Sequence, residues 1–197
     1  MKNKRSLIFL GGMLLLGGAF LLVNFRLAAS TLQAEKLLVA TDAGEDMPAP
    51  MQRKDKISMV LVGKGPLVGA LQKALTEKID KIGVGEIELG RELKPTYQNP
   101  VLIVKVGTPG PLWTPFLAVS KFPLHAGYTS DGDSTFMESI EQTHTSVGKK
   151  DVAFLYAEYE VSDLSLGLIS RPGYHQFLAD YFADEIVTAL KDLYNVH

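Results

Sequence analysis

DVAFLYAEYEV, residues 151–161, alternates with a period of two. Ala153, Leu155, Ala157, Tyr159 and Val161 fall on one side, and Phe154, Tyr156, Glu158 and Glu160 on the other. Successive side chains of a pleated chain point to opposite faces, so this spacing predicts a long strand. Leu164–Ile169 is a second candidate strand, expected to pair back on the first through a turn at Ser162-Asp163. Beyond it, Ser170, Arg171 and Pro172 open a helix, where a proline in the first turn forfeits no hydrogen bond. Tyr174, Phe177, Leu178, Tyr181, Phe182, Ile186, Ala189, Leu190 and Leu193 then form a wide apolar stripe at helical spacing, with Asp180, Asp184 and Lys191 turned to water.

Upstream, the pattern repeats in another order. Ile57–Val62 (ISMVLV) has the length and branching of a buried strand. Pro66 begins a helix in which Leu67, Leu71, Ala74, Leu75, Ile79 and Ile82 share a face, ended by Gly83 or Gly85. Strand candidates follow at Val84–Leu89 and Pro100–Val106, and a pair at Phe116–Phe122 and His125–Thr129 around Pro123. The polar stretch Ser130–Lys150 is expected to be an exposed loop, although a short helix over Thr135–Glu141 is compatible with it. Strands cluster between two helices. The expected fold is therefore α+β, with two helices packed on one face of a mostly antiparallel sheet.

The N-terminus sets the compartment. Leu7–Val23 (LIFLGGMLLLGGAFLLV) carries no charge, follows Lys2, Lys4 and Arg5, and is long enough as a helix to cross a hydrocarbon core. The basic residues in front keep the N-terminus cytoplasmic. A cleaved signal peptide ending near Ala28 and Ser30 competes with this reading. The run is longer than the roughly 7–15 residues usual for such segments, and Arg26 lies before the candidate site. The expected organisation is a cytoplasmic basic tail at 1–6, a single transmembrane signal anchor at 7–25, a linker at 26–56, and an extracytoplasmic domain at 57–197 that folds by itself. The linker reading rests on TDAGEDMPAPMQRKDK, which mixes Gly, Pro and both charges without periodicity.

Composition narrows the function. Net charge is −2, so no basic footprint points to nucleic acid. There is no cysteine, which removes disulfides, thiol nucleophiles, cysteine-held metal and a lipid-bearing cysteine. A disulfide-free extracytoplasmic domain fits a bacterial envelope. In architecture alone, the layout of residues 57–197 resembles accessory domains of bacterial envelope assembly systems. No shared motif accompanies the resemblance, so it assigns no role to any residue.

Several constellations bear on chemistry. Gly63-x-Gly65-x-x-x-Gly69 after a strand resembles a dinucleotide-binding turn, with Glu86 or Glu88 downstream, but Pro66 removes a donor from the turn and an ordinary strand–turn–helix explains it. Asp131-Gly132-Asp133-Ser134 with Glu138 and Glu141 offers oxygen ligands, yet lacks the glycine and final carboxylate of a calcium loop. His125, His144, His175 and His197 have no metal-ligand spacing. Trp113, alone of its kind and set between prolines in GTPGPLWTP, is either a partner-binding anchor or a plug at the end of the core. Phe154, Tyr156, Glu158 and Glu160 would form an amphipathic recognition surface if no helix covers their face.

The function expected from these features is a non-catalytic, membrane-anchored binding or assembly domain of the cell envelope. It would be held to the membrane by Leu7–Val23 and would contact an envelope protein through Trp113, Phe154, Tyr156, Glu158 and Glu160, with no cofactor, metal or nucleic acid. The alternatives are an extracytoplasmic hydrolase or ligand-binding enzyme using residues 125–146, and a nucleotide-binding domain at Gly63–Gly69.

Overall fold

The computed structural model describes residues 17–18, 23–42, 56–83, 85–108, 112–143 and 152–194. Among these residues, eight strands form one mixed sheet: β1 (Arg26–Ser30), β2 (Gln33–Asp42), β3 (Lys56–Val62), β4 (Glu86–Leu89), β5 (Val101–Val106), β6 (Leu112–Thr114), β7 (Leu117–Thr129) and β8 (Phe154–Ile169). Three helices accompany them: α1 (Pro66–Ile82), α2 (Thr135–Thr143) and α3 (Arg171–Tyr194). The strand order is β1-β8-β7-β5-β3-β4. β2 continues along β8 beyond β1, and β6 runs beside β7.

The α+β class stands, but the sheet is mixed. β3 pairs parallel with both β4 and β5, and the other pairs are antiparallel. Parallel neighbours need a crossover, and α1 supplies it between β3 and β4.

One face of the sheet carries α1 and α3 as expected. Ile57, Leu102, Val104, Leu124, Leu155 and Tyr159 meet Leu71, Leu75, Leu178, Phe182 and Ile186 in the main core. Phe182 sets its ring edge-on to Phe122 and Tyr159, at centroid distances of 6.2 and 6.1 Å. Lys78 and Asp184 join the two helices at 2.6 Å.

Four local readings are corrected. The expected loop at Ser130–Lys150 holds α2 over Thr135–Thr143, while residues 144–150 lie outside the described ones. Met137 and Ile140 pack with Val60, Ile103, Phe154 and Tyr156 in a second, smaller core on the sheet's opposite face. Gly127 makes room for this helix, because a Cβ there would stand 2.5 Å from Met137 Sδ. Second, the two segments around Pro123 are one strand, β7. Pro123 is paired with Glu160 of β8, and on its other side it lies between the reaches of β5 and β6, beyond the last residue of either strand. Third, β8 runs straight through Ser162-Asp163, so there is no hairpin. Fourth, residues 26–42, read as linker, are strands at the sheet's edge; residues 43–55 lie outside the described ones.

No helix among the described residues is long and apolar enough to cross a membrane. The expected span Leu7–Val23 lies outside them apart from residues 17, 18 and 23.

Candidate docking face at the N-terminal end of the sheet

β8 has two unlike halves. In the first, both faces are covered: Leu155, Ala157 and Tyr159 lie under α1 and α3, and Phe154 and Tyr156 lie under α2. In the second, the pattern inverts. Asp163 and Ser165 turn inward and are 2% and 0% exposed, whereas Leu164, Leu166 and Leu168 turn outward and are 40%, 56% and 39% exposed.

The inward polar groups are satisfied by one another. Asp163 Oδ1 accepts from Ser30 Oγ at 2.5 Å, and Oδ2 accepts from Ser165 Oγ at 2.9 Å and from the Tyr174 hydroxyl at 2.8 Å. Tyr174 also lies 2.9 Å from Ser120 Oγ. Burial, chiefly, raises the Tyr174 pKa well above the ordinary tyrosine value. A buried carboxyl without partners would cost several kcal/mol, and three hydroxyls offset that cost here. The network ties β1, β7, β8 and α3 together.

The outward leucines are part of a wider apolar surface. Register pairs Leu168 with Leu27, Leu166 with Ala29 and Leu117, Leu164 with Val119, and Val119 with Leu112. Leu27 is 74% exposed, Leu112 58%, and Phe116, in the β6–β7 turn, 65%. Four strands thus present a continuous apolar patch on the face that α2 leaves open. Monomers seldom expose such contiguous patches without a use for them.

The same end of the sheet receives the chain from the N-terminus. Phe25 N–H donates to Ser170 Oγ at 2.9 Å. Ser170 returns hydrogen bonds to the Phe25 carbonyl from its hydroxyl (2.9 Å) and its N–H (3.1 Å). Ser170 also caps α3 by accepting from Gly173 N–H at 3.0 Å. A Cβ on Gly173 would collide with the Phe25 carbonyl, so glycine is what admits this approach. Arg26 lies over the Phe177 ring at 3.7 Å, and Lys36 pairs with Glu185 at 3.2 Å. Phe25, Arg26 and Lys36 thus tie the edge strands to α3 and its cap.

At the opposite end of the sheet, an open groove of about 400 Å³ is lined by Ser58, Glu88, Arg91, Glu92, Lys94 and Tyr97, among others. Register places Ser58 in one row with Val101, Thr129 and Phe154, far along β8 from Ile169.

The residues singled out from sequence are placed as follows. Phe154, Tyr156, Glu158 and Glu160 do share a face, but α2 covers it at Phe154 and Tyr156, which are 6% and 0% exposed. Glu158 and Glu160 are half-buried, and Glu160 pairs with Lys121 at 2.6 Å. That bond, above all, raises the Lys121 pKa. Trp113 points into the main core beside Ala118, and its Nε1 is buried with no hydrogen-bond partner among the described residues. Its neighbours Leu112 and Phe116 are the exposed ones. The missed signal was the L-x-L-x-L of residues 164–168 interleaved with Asp163 and Ser165, a period-two pattern with the apolar set facing water.

His125 Nδ1 lies 3.0 Å from the Tyr156 hydroxyl. Asp133 accepts from Thr135 N–H at 3.0 Å and from its hydroxyl at 2.6 Å, at the start of α2. Asp131 accepts from Thr129 Oγ1 at 2.6 Å and from Asp133 N–H at 3.0 Å. Among the described residues, no three His, Asp or Glu side chains gather to hold a metal ion. His144 and His197 lie outside them.

No family model and no curated protein matches the chain. Among solved structures, a PelC dodecamer variant from Paraburkholderia phytofirmans aligns at a TM-score of 0.40 and 11% identity, covering 84% of this chain and 100% of that one. The PelC dodecamer from the same organism in a second crystal form gives 0.40 at 10% identity, covering 86% and 99%. A minor lipoprotein from Acinetobacter baumannii gives 0.32 at 16% identity, covering 72% and 94%. At these TM-scores the likenesses carry no argument about what this chain does.

Proposed function

We propose that the chain is a membrane-anchored, extracytoplasmic domain of the bacterial cell envelope that binds or assembles with another envelope component, without catalysis. The carrying observation is the mount. The uncharged run Leu7–Val23 ends two residues before Phe25, and Phe25 is hydrogen-bonded to Ser170, the cap of α3. An anchor joined this way holds the domain at a set height and orientation, as an assembly element requires and a diffusing enzyme does not.

Two further features support the reading. The groove at Ser58, Glu88 and Glu92 opens at the end of the sheet away from the mount, with Arg91 and Lys94 adding the opposite charge. A polar partner surface suits it better than a hydrophobic ligand. In the region of the enzyme alternative, Asp133 starts a helix and His125 meets a buried tyrosine, so both have structural employment.

The experiment has two arms. A reporter active only outside the cytoplasm, fused after His197, is expected to be active; activity of a cytoplasmic reporter there instead overturns the topology. A photo-reactive residue placed at Glu92 in intact envelopes is expected to give one discrete adduct whose protein also co-purifies with the unlabelled chain. An extracytoplasmic chain that gives no adduct at Glu92 or at Arg91 overturns the binding reading at this groove while leaving the anchor in place.

A further inference from the structure

The apolar patch on the open face lies at the mounted end of the sheet, not at the groove end. Leu27 is its most exposed residue, and Leu27 stands four residues after Val23, where the expected span ends. Four Cα–Cα steps reach at most about 14 Å. The interfacial layer outside the hydrocarbon core is about 5–8 Å deep on each side of a bilayer. Since Phe25 is fixed to Ser170, only Asn24 remains between the end of the span at Val23 and the fixed residue. The patch therefore cannot be carried far from the membrane surface.

We propose that Leu27, Phe116, Leu166 and Leu168 lie in the headgroup–acyl boundary of the membrane from which the chain emerges, so that the domain rests on the bilayer by its open sheet face. The proposal builds on the anchored reading above. The lipid surface is the occupant the geometry favours because it is brought to the patch by covalent connection. A second copy of the chain fits less well. Nothing in the connectivity of the chain brings a second copy to the patch, as it brings the bilayer. The inverted pattern of β8 also has its reason here. Leucines facing lipid and a hydroxyl-bonded carboxyl facing the core are the arrangement expected of a strand whose outer side is apolar and whose inner side is sealed.

The chain has no cysteine, so a single introduced one is a unique label site. The full chain would be reconstituted in vesicles of phosphatidylethanolamine and phosphatidylglycerol carrying Leu166→Cys, Phe116→Cys or Leu27→Cys. Lys73→Cys, exposed on α1 against the other face, is the reference. Each would bear an environment-sensitive fluorophore, and some vesicles would contain spin-labelled lipid. The three patch positions are expected to emit to the blue of Lys73→Cys and to be quenched several-fold more by the spin-labelled lipid. Patch positions that read as wet as Lys73→Cys overturn the proposal. Patch positions that are shielded but not quenched, with Leu166→Cys forming a disulfide between chains, overturn it in favour of a second copy. Flotation separates the two readings. A chain that fails to float with the vesicles overturns both the anchor and the proposal, and a floating chain with a wet patch overturns the proposal alone.

Discussion

The two halves of β8 obey the same alternation and reach opposite results. From Phe154 to Val161 the strand is buried on both faces, and its polar members on the α2 face, Glu158 and Glu160, are half-buried where that cover ends. From Asp163 to Leu168 the polar members, Asp163 and Ser165, are sealed and the leucines are open. One strand thus passes from an ordinary core into a surface built for an apolar neighbour. The lesson is that hydrophobicity marks which side of a strand is covered only when every covering layer belongs to the same chain.

The sharpest way to break this comparison is to remove the edge on which the second half depends. Residues 57–197 alone lack β1 and β2, which flank β8 over most of its length and supply Ser30 to Asp163. That fragment is expected to be insoluble or to melt without cooperativity, against the expectation from sequence that it folds by itself. A soluble, cooperatively melting 57–197, by calorimetry, would make β1 and β2 accessories.

Next in size are the buried aromatics in the first half and in the helix packed on it. Tyr156→Ala and Phe182→Ala remove fully buried rings and are each expected to cost about 3–5 kcal/mol in urea unfolding. Leu166→Ala in the second half, measured on the same domain in detergent, should stay within about 0.5 kcal/mol. Equal costs for Tyr156→Ala and Leu166→Ala would erase the distinction between the halves.

The inward carboxyl comes third. Asp163→Ala strips the acceptor from Ser30, Ser165 and Tyr174, and is expected to cost about 1–3 kcal/mol. A cost below about 0.5 kcal/mol would mean that those hydroxyls find other partners.

The smallest effect is a pH slope. His175 is buried, and burial first, then Arg171, lowers its pKa from the ordinary histidine value. Below about pH 6.5 the unfolded chain takes up a proton that the folded chain does not. Stability contributed by neutral His175 is thus present above about pH 6.5 and declines as pH falls toward its folded pKa. His175→Gln should flatten this part of the profile in chemical unfolding between pH 7 and 5. An unchanged slope would assign the dependence to other groups.

Much of the architecture was legible along the chain, because helical and strand periods are local. The stripe from Tyr174 to Leu193 gave α3 almost to the residue, and Pro66 marked the start of α1. Turn-forming residues mislead where they lie inside strands: Pro123 sits between the stretches of β7 that β5 and β6 flank and is paired on the other side with Glu160 of β8, and Ser162-Asp163 continues β8 because its hydroxyl partners arrive from β1 and α3. β1 and β2 were hidden because RLAASTLQAEKLLVA has no clean alternation, and their strand state comes from pairing with β8. The candidate binding residues suffered similarly. Phe154 and Tyr156 share a face with the two glutamates, as the spacing says, but α2 arrives from elsewhere to cover them.

The sequence by itself determined what depends on neighbours in the chain: the uncharged N-terminal run, the absence of cysteine, the periods of the main helices and strands, and hence the α+β class. Tertiary structure decided everything that depends on which surfaces meet. It made the sheet mixed, turned Trp113 into the core, sealed Asp163 among hydroxyls from two strands and a helix, and left Leu27, Leu166 and Phe116 open beside the mount. The reason is physical: a side chain's period assigns it to a face, but only the packing of distant segments decides whether that face is buried.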